Sequence, residues 1–172
     1  VKHNIPVTQT VMGYSTMKKD HSHFVGPIGG LGGKAANNLA KETDLAICIG
    51  TKLADFTTGS WANFENPEFK LVSINIARHD ANKHLAEAVI GDAKVTLTEL
   101  SNAIGDWKSS DSWHKKSQVE LKSWNEYVDK ESGPTNQELP SYAHAVGAIY
   151  RNSDPTDIAV TAAGGLVGEV VQ

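Results

Sequence analysis

Short apolar runs rich in Ile, Val and Thr alternate along this chain with stretches of helical periodicity. That alternation constrains the fold more than any other feature. "IPVTQT" (residues 5–10), "LAICIG" (45–50), "KLVSIN" (70–75) and "DIAVTAA" (157–163) read as strands, with "EAVIGD" (87–92) a weaker fifth. Residues 34–42 and 81–85 read as short helices. Asp92 is placed to cap a longer one, because Leu97, Leu100, Ile104 and Trp107 follow on one face. Ser112 is expected to cap a helix striped by Leu121, Trp124 and Val128, and Ser141 one carrying Tyr142, Val146 and Ile149. A strand as continuously apolar as residues 45–49 needs cover on both sides. The expected fold is therefore α/β, a Rossmann-like parallel sheet with helices on both faces. "KESGPTNQELP" (130–140) lacks periodicity and reads as a linker. The chain opens almost directly on one strand and stops shortly after another, so a piece of a longer protein is expected.

Composition narrows the function classes. With 40% hydrophobic and 21% charged residues, the 172-residue chain has globular composition and enough length for a real core. A net charge of −4 with no basic stripe argues against a nucleic-acid partner. Cys48 is the sole cysteine and lies in an apolar run, so it reads as a small core residue. No apolar run approaches the roughly 18 residues of a membrane span and no leader pattern opens the chain, so a soluble, cytoplasmic protein is expected.

The chemical signals centre on "GPIGGLGGKAANN" (26–38), five glycines and a lysine leading into a helix. It lacks the P-loop pattern, since Ala35 follows Gly33-Lys34 and Ile28 stands where the first glycine belongs. Gly30, Gly32 and Ala35 fit the dinucleotide fingerprint, with Asp55 at a ribose-holding distance along the chain. That fingerprint must follow a strand, and "DHSHFVGP" is a weak strand candidate, so a structural loop is the favoured reading. His21 and His23 read as surface polar residues. "GTKLADFTTGSW" (50–61) follows a strand and is a ligand-loop candidate, with a helix cap at Asp55 or Thr57 as the competing reading. "TAAGGLVGE" (161–169) is a second strand-then-glycine turn, whose amides at Gly164 and Gly165 suit a diphosphate.

Taken in order, these pieces resemble the central domain of thiamine-diphosphate-dependent enzymes of the acetolactate-synthase type. The resemblance is carried by the "DH" segment, the "AANN" loop, the "DL" strand with its "GTK" turn, and "GDAKVTLTEL". "DFTTGSW", "INIARHDANKH" and "AAGGLVGE" point within that family to ring-opening hydrolases of inositol catabolism. The resemblance implies a division into residues 1–108, a central domain lacking its first strand and helix, 109–140, a helix and linker, and 141–172, the start of the diphosphate-binding domain. It implies thiamine diphosphate and Mg²⁺ as cofactors of the full-length enzyme, a small-molecule dione substrate and a homo-oligomer, dimer or tetramer. No catalytic residue and no metal ligand is expected in this segment, only Gly164 and Gly165 against the diphosphate. Some relatives hold FAD or a nucleotide in the central domain. Here Asn75 and Ala77 stand where many have acids, which counts against a bound nucleotide. An acetolactate-synthase-like carboligase and a nucleotide-binding module on Gly30, Gly32, Ala35 and Asp55 are the alternatives.

Overall fold

A computed structural model of the chain describes residues 2–154, 156–161 and 164–171. Its elements in order are β1 (Val7–Gln9), β2 (Phe24–Pro27), α1 (Lys34–Glu42), β3 (Leu45–Ile49), α2 (Asp55–Thr58), β4 (Lys70–Asn75), α3 (Arg78–Ala81), β5 (Glu87–Ile90), α4 (Ala93–Ala103), α5 (Asp111–Glu131), α6 (Tyr142–Asn152) and α7 (Leu166–Val171). All strand pairings are parallel, as expected of strands alternating with helices. The sheet falls into two pieces, β1–β2 and β3–β4–β5. In the larger piece β3 pairs with β4 from Leu45 opposite Lys70 to Ile49 opposite Ile74, and β5 joins β4's other edge.

β2 is the strand that its sequence signals least. Gly26 and Pro27 are weak strand formers, yet Phe24 and Val25 are buried and the segment pairs with β1. Tertiary cover explains it: α1 and α5 pack on β2 and on each other. Val25, Ala35 and Leu39 form the core there, closed over by Trp113, Leu121 and Trp124 of α5. The register slips between Val7↔Phe24 and Gln9↔Pro27, so one extra residue bulges from β2.

Local capping chemistry decides the helix starts. The Asp92 carboxylate accepts from the amides of Lys94 and Val95 and opens α4, as its sequence predicts. Ser141 and His144 form a capping box at α6. At α5 the cap is Ser110, two residues earlier than expected. Its extended backbone lets Oγ accept from the Trp113 amide, while Ser112 lies inside the first turn.

Two stretches depart from their sequence reading. Residues 157–161 are not a strand, and Ile158 and Val160 are 89% and 91% exposed. Strand backbone is satisfied only by a neighbour, and none of the described strands lies beside it. Ala162 and Ala163 of the same run lie outside the described residues. β3, apolar at every position, is not fully covered, with Leu45 and Ile49 45% and 41% exposed.

Candidate functional site

The glycine-rich loop does follow a strand, so the reading of 20–27 as a weak strand candidate is corrected by β2, and α1 opens directly behind the loop. Five of its amides, however, are bonded within the protein. Ile28 N–H donates to the Gln9 carbonyl at 2.9 Å and Gly30 N–H to the Phe56 carbonyl at 2.7 Å. Gly32 and Gly33 donate to the carbonyls of Gly29 and Pro27, both at 2.9 Å. Gly29 N–H donates to Oδ1 of Asn37 at 2.9 Å, and Nδ2 of Asn37 returns a bond to the Gly29 carbonyl at 3.0 Å. A phosphate cradle needs such amides free. Here they are spent on the protein itself.

The glycines are explained by the same packing. Gly29 has φ +109°, and a Cβ there would collide with the Phe56 carbonyl. A Cβ on Gly32 would come within 2.6 Å of the Pro27 carbonyl oxygen, and one on Gly33 within 2.8 Å of Trp124 Nε1. Backbone and indole approach these positions, where a dinucleotide site would present a ligand.

The loop after β3 leans against this one. Asp55 opens α2, exposed, and its carbonyl accepts from Gly59 and Ser60. It is not the cap, which is Ala54, and neither is Thr57. Asn63 Nδ2 donates to Asn37 Oδ1 at 3.1 Å, joining the two loops through one side chain. Leu53, Ser60 and Trp61 hold left-handed φ values of 50°, 53° and 70°, an unusual density of non-glycine residues there. Asn75, at the end of β4, ties the next loop in: Nδ2 donates to the Thr51 carbonyl at 3.2 Å and Oδ1 accepts from Ala77 N–H at 2.9 Å. An aspartate there would lose the donor. Asn75 is thus a clamp between loops, a role invisible in its sequence position.

Gly164 and Gly165 lie in the turn before α7. A shallow concavity of about 560 Å³ adjoins them, lined by Tyr142, Ala145, Val160, Thr161 and Leu166. A Cβ at Gly164 would meet open space, whereas one at Gly165 would stand 3.3 Å from the Tyr142 ring. The backbone at Gly164 is therefore approachable from outside, unlike that of the 26–38 loop. Among the described residues no group of three or more His, Cys, Asp or Glu side chains is placed to hold a metal.

Two titratable groups differ from their surface or core stereotypes. His23 is only 5% exposed, which corrects its reading as a surface residue. Burial pushes the Cys48 thiol up to about 11, the behaviour of a packed residue and not of a nucleophile.

Residues 1–100 match the family model described as thiamine pyrophosphate enzyme, central domain. The chain belongs to the thiamine pyrophosphate enzymes. Similar proteins include 3D-(3,5/4)-trihydroxycyclohexane-1,2-dione hydrolase of Clostridium perfringens strain 13, 32% identical over 97% of this chain and 30% of that protein. The protein of the same name from Bacillus anthracis strain CDC 684 is 34% identical over the same shares. From Bacillus cereus strain ZK, 3D-(3,5/4)-trihydroxycyclohexane-1,2-dione hydrolase 2 is 46% identical over 58% of this chain and 16% of its own length. This segment of a thiamine pyrophosphate enzyme spans about 30% of the length of the relatives it matches along nearly all of its residues.

Proposed function

We propose that the chain is part of a thiamine-diphosphate- and Mg²⁺-dependent hydrolase that cleaves a C–C bond of a cyclic trihydroxy-dione in inositol degradation. In that protein these 172 residues are scaffold and not catalytic centre. The observation that carries the scaffold reading is the hydrogen bonding of the glycine turn, where the amides of Ile28, Gly29, Gly30, Gly32 and Gly33 are satisfied by Gln9, Asn37, Phe56 and the loop itself. The names of the relatives support the substrate class.

The fit to the cofactor is partial. Gly164 offers approachable backbone, and we assign it, with Gly165, to the diphosphate. Bound thiamine diphosphate supplies the carbanion and electron-sink chemistry of C–C cleavage. What these residues contribute is position: α6 and α7 pack together and hold the glycine turn against Tyr142. Mg²⁺ would be held by residues outside this segment. The division into 1–108, 109–140 and 141–172 belongs to the same proposal, supported at its first boundary by the match to residues 1–100. So do a cytoplasmic location and a dimeric or tetrameric assembly. No helix among the described residues is long and apolar enough to cross a membrane.

The test is turnover of the full-length protein, with thiamine diphosphate and Mg²⁺, on the cyclic dione and separately on pyruvate. Ring opening that requires both cofactors supports the reading. Carboligation of pyruvate without ring opening would assign an acetolactate-synthase-like enzyme instead.

A further inference from the structure

Three segments distant in sequence meet at the rings of His23 and His114. The rings stack, with centroids 4.2 Å apart and planes 16° from parallel, and His21 stands edge-on to His23 at 5.9 Å. His23 follows the turn into β2, and His114 lies on the first turn of α5. The third segment is the approach to β1: Asn4 Oδ1 lies 3.2 Å from His23 Nε2.

The hydrogen bonds set the tautomer of the neutral ring. Asn4 Nδ2 donates to the Ser109 carbonyl at 3.2 Å and to Asp111 Oδ1 at 3.1 Å, so its Oδ1 can only accept. His23 Nε2 therefore carries the hydrogen. Nδ1 is left as the acceptor for the Ser22 hydroxyl at 2.9 Å. Both nitrogens are satisfied in the neutral ring, and a second proton has only Nδ1 to occupy, where the Ser22 hydroxyl must reverse. His114 Nδ1 is buried and without a partner among the described residues. No carboxylate stands within ion-pair distance of either ring among those residues.

We propose that the His23–His114 stack is an acid-sensitive latch fastening the first half of α5 to the β1–β2 layer. It holds while the buried His23 ring is neutral and loosens when that ring takes a proton. The charge would be buried, against a second imidazole, with no acid to offset it.

The surroundings keep the effect local. Acting on His23 are His114 of α5 and His21 of its own turn. Asp111 of α5 is reached only through Asn4. On the facing side α1 presents Glu42, which pairs with Lys116, and Asn38, which donates to Glu120 at 2.8 Å. The Trp124 contact farther along α5 involves no titratable group. Burial first, then the neighbouring imidazoles of His114 and His21, hold the His23 pKa below its usual 6.5. The unfolded chain therefore takes up a proton near 6.5 while the folded one resists. The latch contributes fully above that pH and is lost as pH falls from 6.5 toward the folded value.

The experiment is histidine ring titration by NMR on this chain, with amide hydrogen exchange along α5 at about pH 7.5 and about pH 5.5, corrected for intrinsic exchange. The expected result is a His23 ring titrating below 6.5 and a selective loss of protection, about tenfold or more, in residues 111–118 at the lower pH. In His114→Gln that pH dependence should shrink to a small remainder. A His23 ring titrating at or above 6.5 would overturn the proposal, and so would an undiminished loss of protection in the variant. Should His114→Gln fail to fold, the ring titration of the unaltered chain decides alone.

Discussion

The side-chain amide of Asn37 bonds to both backbone groups of Gly29, accepting its N–H at 2.9 Å and donating to its C=O at 3.0 Å. The same Oδ1 accepts from Asn63 at 3.1 Å, so one residue of α1 holds the loops after β2 and β3. Asn37→Ala leaves two part-buried donors, Gly29 N–H and Asn63 Nδ2, without their partner. It should cost about 2–3 kcal/mol, since each such group costs about 1–3 kcal/mol and water recovers part of the loss. Asn37→Asp keeps the acceptor and should cost less. Urea denaturation of the two variants checks the order, and equal losses would refute the two-sided clamp.

Gly32 and Gly30 separate the packing role of the loop from a ligand role. A Cβ at Gly30 would lie 3.7 Å from its nearest neighbour, whereas at Gly32 it would press on the backbone of residues 27–29. Gly30→Ala should change stability by less than about 0.5 kcal/mol and Gly32→Ala should cost about 2 kcal/mol or more. Calorimetry of both variants without any nucleotide measures this. If Gly32→Ala changed nothing but weakened binding of added NAD, the loop would be a site after all.

Ser110 and Ser112 make a second discriminating pair. Ser110 Oγ accepts from the Trp113 amide at 3.2 Å. Ser110→Ala should therefore cost about 1 kcal/mol, the usual effect of losing a helix cap. Ser112→Ala should cost less than half of that, read from the shift in thermal midpoint.

Cys48 should resist thiol reagents. With the thiol pushed up to about 11, on the order of one molecule in a thousand carries the thiolate at pH 8. Labelling by a disulfide reagent should be slow in the folded chain and fast in urea. Rapid labelling of folded protein would mean that β3 opens readily.

Much of the architecture was legible in local pattern. The bounds of α1 and β4, the Asp92 and Ser141 caps and the weak fifth strand at β5 all follow from period and capping chemistry within a few residues. β2 was not legible, because Gly26 and Pro27 argue against a strand and only cover by α1 and α5 stabilises one. Residues 157–161 erred the other way, with strand composition but no neighbouring strand to pair with.

At the candidate sites the division is similar. Glycine spacing at 26–38 suits either a cradle or a self-packed loop, and nothing within the stretch says which. The choice depends on Asn37, Phe56 and Trp124 arriving from other elements.

By itself, then, the sequence determined what is local: the alternation of strands and helices, the helix caps, the parallel α/β class and the family motifs. Only the tertiary structure decided where polar groups find partners. It turned His23 inward, spent the glycine-loop amides and made Asn75 a clamp. The physical reason is that a buried donor, acceptor or charge takes its role from whatever packs against it, and in this fold those neighbours come from distant parts of the chain.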